Sequence, residues 1–117
     1  MAFDHEQLDV YKRALEALEL TDAVVEQMPV GRGHLKDQLD RAVTSVVLNV
    51  AEGAGEFSSH EKRRFYRMAR RSATEAAAIF HIVAIRGHAS EQQTNEARKV
   101  LARVVSMLVR MTKTPPA

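Results

Sequence analysis

Apolar residues recur at three- and four-residue intervals along most of the chain, and no segment alternates like a half-buried strand. This pattern predicts four helices, at about residues 7–27, 34–53, 58–87 and 90–112, with glycine or proline in the breaks between them. Two starts are marked by a serine followed three residues later by Glu or Gln, which is a capping box. We therefore expect short connections and sharply defined helix ends.

Four amphipathic helices joined by short connections predict an all-α, antiparallel up-down-up-down four-helix bundle. The sequence places this single domain at residues 1–112 and a disordered tail at 113–117. The second and third helices are predicted to pack through Ala42, Val46, Phe65, Ala69 and Ala76. Several valines beside the main apolar seams widen the stripes, and such excess apolar width indicates an oligomer surface.

The composition limits the kind of core, the kinds of covalent and metal sites, and the cellular location that this chain can have. The 117 residues are 45% hydrophobic and only 5% aromatic, so the core must consist mainly of aliphatic side chains. The absence of cysteine excludes disulfides and thiolate metal sites. No apolar leader or stretch of about 18 apolar residues is present, so we expect a cytoplasmic protein with no membrane partner.

Charge is unevenly distributed along the chain. Residues 1–60 contain 11 acidic and 5 basic side chains, whereas residues 61–117 contain 4 acidic and 12 basic ones. Such asymmetry is typical of a nucleic-acid-binding surface. It also arises when the two halves pair with each other, either within one chain or between subunits.

Patterns typical of catalysis are missing. The five histidines are scattered, no Glu-x-x-His pair occurs, and Gly53-Ala54-Gly55 lacks the lysine and the preceding strand of a phosphate loop. Glu52, Glu75 and Asn49 are the only candidate acid–base set, and a structural salt-bridge cluster accounts for them better. We therefore predict a protein that is not an enzyme and has no metal, cofactor or small-molecule substrate.

Polar residues interrupt the apolar surfaces of the second and third helices. Steps of four, four and three residues place Arg41, Ser45, Asn49 and Glu52 on one helix face. An unpaired buried polar group costs about 1–3 kcal/mol, so these residues need partners. We predict a buried network that fixes helix register. Its predicted members are Arg41, Ser45, Asn49, Glu52, Arg64, Ser72 and Glu75.

The third helix also carries a dense group of cations, which we predict to bind RNA or DNA phosphates without reading sequence. The predicted nucleic-acid-binding residues are Lys62, Arg63, Arg67, Arg70 and Arg71. Tyr66 is the adjacent aromatic residue available to stack on a base. The alternative is a scaffold in which these cations pair with Glu16, Glu19 and Glu26 of another subunit.

The central motifs resemble those of a bacterial family, the four-helix-bundle proteins encoded in intervening sequences of 23S ribosomal RNA. The match spans nearly the whole chain and includes Gln38-Leu39-x-Arg41-Ala42, Ser45-x-x-x-Asn49-x-Ala51-Glu52-Gly53, Glu61-x-x-Arg64-Phe65, Ala69-x-x-Ser72 and Glu75. The chain departs from the family pattern at Val47, usually proline, at Glu56, usually arginine, and at Arg71, usually glycine.

This resemblance implies an up-down-up-down bundle that assembles into rings, commonly pentamers. Relatives include accessory proteins of diversity-generating retroelements, which are basic barrels that engage reverse transcriptase and nucleic acid. The resemblance therefore implies a homo-oligomer, with RNA or DNA as a candidate partner. Glu56 weakens the nucleic-acid expectation, because it replaces a positive charge that the family usually supplies.

Overall fold

The computed structural model describes residues 3–113, and none of these residues lies in a strand. A 3-10 turn at Asp4–Gln7 precedes four α-helices. The helices are α1 at Asp9–Gln27, α2 at Gly33–Ala54, α3 at Ser59–Ile85 and α4 at Glu91–Lys113. The all-α prediction is confirmed, although the 3-10 turn delays the first helix by two residues. Residues 114–117 lie outside the described residues, so the disordered tail stays a prediction.

Serine hydroxyls fix the starts of α3 and α4, as the sequence predicts. Ser58 Oγ accepts a hydrogen bond from the Glu61 amide at 3.3 Å, and Ser90 Oγ accepts one from the Gln93 amide at 3.0 Å. The Glu61 carboxylate accepts from Arg64 Nε at 2.9 Å. Within residues 3–113, only the serine half of each capping box is therefore formed.

The four helices form a bundle in which each packs against two neighbours. The helix α1 contacts α2 and α4, and α3 contacts the same two helices. In the described part of the chain, no Cα atoms of α1 and α3 lie within 8 Å of each other, so these helices occupy opposite corners. Short connections between successive helices give the up-down-up-down topology.

The core between the helices is aliphatic, with Phe80 as its largest fully buried side chain. Among the predicted α2–α3 contact residues, the four aliphatic ones are buried. Phe65 is only partly buried, whereas Tyr66 is 3% exposed. Tyr66 packs against Gly53 of α2, where no side chain blocks the ring. The prediction that Tyr66 is free to stack on a base was therefore wrong, and burial raises the pKa of its phenol.

Candidate functional site

Small polar side chains join α2 and α3 at their shared surface. The hydroxyl oxygens of Ser45 and Ser72 lie 2.9 Å apart. Asn49 Nδ2 donates to the carbonyl oxygen of Ser45 at 2.9 Å and to its hydroxyl at 3.0 Å. These three partly buried residues form a hydrogen-bonded link between the two helices.

This link lies in an open groove between α2 and α3. A polar cavity of about 350 Å³ occupies one part of the groove and is lined by Gln38, Arg41, Ala42, Ser45, Ser72 and Glu75. An adjoining space of about 490 Å³ shares Arg41 and Ser45 and is lined also by Leu48, Phe65 and Met68. The groove therefore has a polar part and an apolar part, both open to solvent.

The charged members of the predicted network are not buried. Arg41, Glu52 and Glu75 are exposed, because the groove opens to water where their charges are solvated. Arg64 pairs with Glu61 at 2.9 Å, and its guanidinium lies 4.7 Å from the Phe65 ring centre. The prediction of a buried network was wrong for these charged residues. The groove contains no ion pair that involves Glu52 or Glu75.

Four of the five predicted nucleic-acid-binding residues form what we call the α3 basic face: Arg63, Arg67, Arg70 and Arg71. Arg67 and Arg71 are exposed, whereas Arg63 and Arg70 are partly buried. Within residues 3–113, the only ion pairs are Arg13–Glu16 and Arg64–Glu61. The four arginines of this face thus have no acidic partner among the described residues.

Lys62 does not belong to this face. Its Nζ donates to the carbonyl oxygens of Gly53 and Ala54 at 3.0 and 3.1 Å. A cation at these carbonyls adds a donor at the end of α2, where the Gly53 oxygen also accepts from the Glu56 amide at 3.2 Å, and complements the negative end of the helix dipole. Lys62 is therefore a helix cap in this structure, and its assignment as a nucleic-acid-binding residue stays a prediction.

The bundle separates opposite charges. The acidic helix α1 carries five acidic and two basic residues, and the basic helix α3 carries six basic and two acidic residues. These two helices lie at opposite corners, and both described ion pairs are local contacts within one helix. Residues 3–60 and 61–113 therefore form no ion pair with each other. The pairing of the two halves within one chain is not found.

Some exposed apolar residues were missed by the sequence analysis. Leu48 and Ile85 are 56% and 75% exposed, and Phe57 is fully exposed in the α2–α3 loop. For Leu48, the available signal was its position outside the apolar stripe of α2.

The described residues contain no group of three metal-ligating side chains. They also contain no helix that is long and apolar enough to cross a membrane.

A solved structure shares this fold. The fold is similar to the crystal structure of a protein of unknown function from the S23 ribosomal protein family of Bacteroides thetaiotaomicron, with a TM-score of 0.78. The two sequences are 17% identical, and the match covers 90% of this chain and 99% of the other. At that identity, the likeness shows the fold alone.

The sequence comparisons are more specific. No curated protein matches this chain. The family model described as 23S rRNA-intervening sequence protein matches residues 6–110, which is most of the chain. Neither this description nor that of the similar structure names an enzymatic activity. The chain belongs to the 23S rRNA-intervening sequence protein family.

Proposed function

We propose that this protein is a non-enzymatic, oligomeric helical-bundle protein that binds RNA or DNA through the α3 basic face. The observation that carries the proposal is the set of four arginines within nine residues of α3, none of them ion-paired in the described structure. Like charges on adjacent helical turns repel one another, and this repulsion is relieved when phosphates bind.

The surroundings of the face favour backbone phosphates over base edges. Helix α4, which packs beside α3, carries five basic and two acidic residues, so positive charge extends to a neighbouring helix. Tyr66 is buried and offers no stacking surface. Guanidinium groups make strong, charge-assisted contacts with phosphate oxygens. The proposed binding is therefore electrostatic and independent of sequence.

Replacing Arg67 and Arg71 with Gln should weaken the binding of RNA and DNA for all sequences alike. Both side chains are exposed and make no described ion pair, so the fold should be unaffected. Each phosphate contact that is lost should reduce the slope of log K against log salt by about 0.7–0.9. The measurement is a fluorescence anisotropy titration at several salt concentrations.

The matched control replaces Lys12 on α1 and Lys36 on α2 with Gln, which removes the same charge from other helices. This control should change the salt slope much less than the α3 variant does. Wild-type protein that shows no salt-dependent binding at about 50 mM salt would reject the proposed nucleic-acid function, because electrostatic binding should be strong there.

The second component of the proposal is assembly into a homo-oligomer. Its support is the exposure of Leu48 and Ile85, together with an acidic α1 and a basic α3 on opposite sides of the bundle. The acidic side of one subunit can contact the basic side of the next, which is a head-to-tail contact. Repeated head-to-tail contacts close into a ring when the rotation between successive subunits divides a full turn evenly. The family resemblance favours five subunits.

We expect sedimentation at micromolar concentration to give a mass near five times the 13.1 kDa of one chain.

If the α3 basic face instead pairs with α1 of a neighbour, the Arg67→Gln, Arg71→Gln protein should dissociate more readily on dilution, and wild-type protein should bind nucleic acid poorly. Exposed ion pairs contribute only about 0–1 kcal/mol each, so the two substitutions should reduce the stability of the oligomer only modestly. A monomeric wild-type protein would contradict assembly.

A further inference from the structure

The apolar part of the α2–α3 groove, which we call the apolar recess, leaves apolar side chains in contact with water. Leu48 and Met68 are exposed, and Phe65 is partly buried. All three line the space of about 490 Å³. Pockets of about 300–1,000 Å³ hold drug-sized ligands, so the recess has room for more than one side chain of a partner. Covering these residues would remove apolar surface from water, which is favourable.

The surroundings of the recess are acidic. Asp40 and Glu52 line the recess together with Arg41, and Glu75 lines the adjoining polar cavity. None of these four side chains forms an ion pair within residues 3–113. Three carboxylates and one guanidinium group thus surround the groove. It therefore favours a partner that brings an apolar group and a positive charge together.

The C-terminal half of α3 has such a combination. Residues 76–85 contain no Asp, Glu, Lys or Arg. Ala78, Ile82 and Ile85 are exposed, and steps of four and three residues place them on one helix face, which we call the isoleucine strip. Arg86 follows directly, is exposed and forms no ion pair in the described part of the chain. The strip therefore ends beside a positive charge.

The recess and the strip cannot meet within one molecule. Met68 of the recess and Ile85 of the strip are 17 residues apart on α3, which corresponds to about 26 Å along the helix. The helix is continuous over this distance, because it runs from Ser59 to Ile85. Only a second molecule can cover either surface.

Charge favours a contact between the strip and the recess over a contact of either surface with itself. Two recesses placed together would bring the carboxylates of two copies close to one another, which is repulsive. Two strips placed together would leave Leu48 and Met68 in water. Strip against recess covers both apolar surfaces and brings Arg86 to the carboxylates.

We propose that the isoleucine strip of one copy packs into the apolar recess of a second copy, with Arg86 beside Asp40 and Glu52 of the partner subunit. This inference rests on the homo-oligomer proposed above and names the surfaces through which it assembles. The contact joins two different surfaces, so it can repeat from copy to copy and close into a ring. None of the four arginines of the α3 basic face lines the recess, so assembly and phosphate binding use different residues.

Replacing Leu48 with Asp, or Ile85 with Asp, should give a monomer of 13.1 kDa at a concentration at which the wild-type protein is assembled. Each substitution places a carboxylate at the contact, where it would lose its water without gaining a partner. Both positions are exposed in the single chain, so the helical circular-dichroism signal should be unchanged. Sedimentation measures the mass. The matched control is Val109→Asp on α4, an exposed position outside both surfaces, which should assemble like wild type.

Mixing the two variants tests which surfaces touch. The Leu48→Asp protein keeps an intact strip, and the Ile85→Asp protein keeps an intact recess. An equal mixture should therefore form a dimer of twice 13.1 kDa and nothing larger, because only one productive contact is possible. If each variant is monomeric and the mixture at the highest concentration tested stays monomeric, the two surfaces do not contact each other and the inference is overturned.

Charge reversal gives a second test that keeps the apolar residues intact. Arg86→Glu should weaken assembly by repulsion from the acidic groove, and adding Asp40→Arg and Glu52→Arg to the same chain should restore it. A wild-type oligomer whose mass is unchanged by Leu48→Asp and by Ile85→Asp would overturn this inference and leave the proposed homo-oligomer standing. A monomeric wild-type protein would instead reject the homo-oligomer itself.

Discussion

Replacing Phe80 with alanine should lower the free energy of unfolding by about 3–5 kcal/mol. The side chain has no exposed surface and is the largest of the fully buried ones, so its removal leaves a cavity in the core. The whole stability of a small domain is only about 5–15 kcal/mol, so this single change should remove a large part of it. Urea unfolding followed by circular dichroism measures the effect.

Phe57→Ala is the matched control for this change. It deletes the same side chain from a fully exposed loop position, so it should change stability by less than about 0.5 kcal/mol. Equal effects of the two substitutions would show that α3 does not bury Phe80 as described.

Replacing Gly53 with alanine should destabilise the protein by about 1–3 kcal/mol. An added Cβ would lie 2.6 Å from Tyr66 Cε1 and 2.8 Å from Tyr66 Cδ1, which is too close for carbon atoms. Alanine favours a helix over glycine by about 1 kcal/mol, but the steric clash with a buried ring should outweigh this gain. Thermal and urea unfolding measure the sign and the size of this change in the free energy of unfolding.

Gly33→Ala tests whether the clash is the cause. Gly33 also belongs to α2, but an added Cβ there meets no atom within 4 Å, so alanine should be neutral or slightly stabilising. A second test combines Gly53→Ala with Tyr66→Leu, and the two effects should be strongly non-additive. Additive effects would contradict a direct contact between these positions.

The helices and their ends were predictable because their signals are local. The periodic apolar residues and the capping serines Ser58 and Ser90 act within a few residues of where they stand. The same periodicity places the small polar residues Ser45 and Ser72 within the apolar faces of their own helices, α2 and α3. These features need no knowledge of distant contacts.

The errors arose where a residue's surroundings come from another helix. Tyr66 is buried because Gly53 leaves room for its ring, and periodicity within α3 alone cannot show that space. The cap that Lys62 forms could not be foreseen for the same reason, because its ammonium group donates to carbonyl oxygens of another helix, those of Gly53 and Ala54.

The order in which the helices pack has a consequence for how fast the chain folds. Three of the four interfaces between α-helices join helices that follow each other in sequence, and the fourth, between α1 and α4, joins the first helix to the last. Such local topologies have low contact order and fold within microseconds to milliseconds. We expect the two central helices to associate early, and the docking of α1 onto α4 to complete the native state.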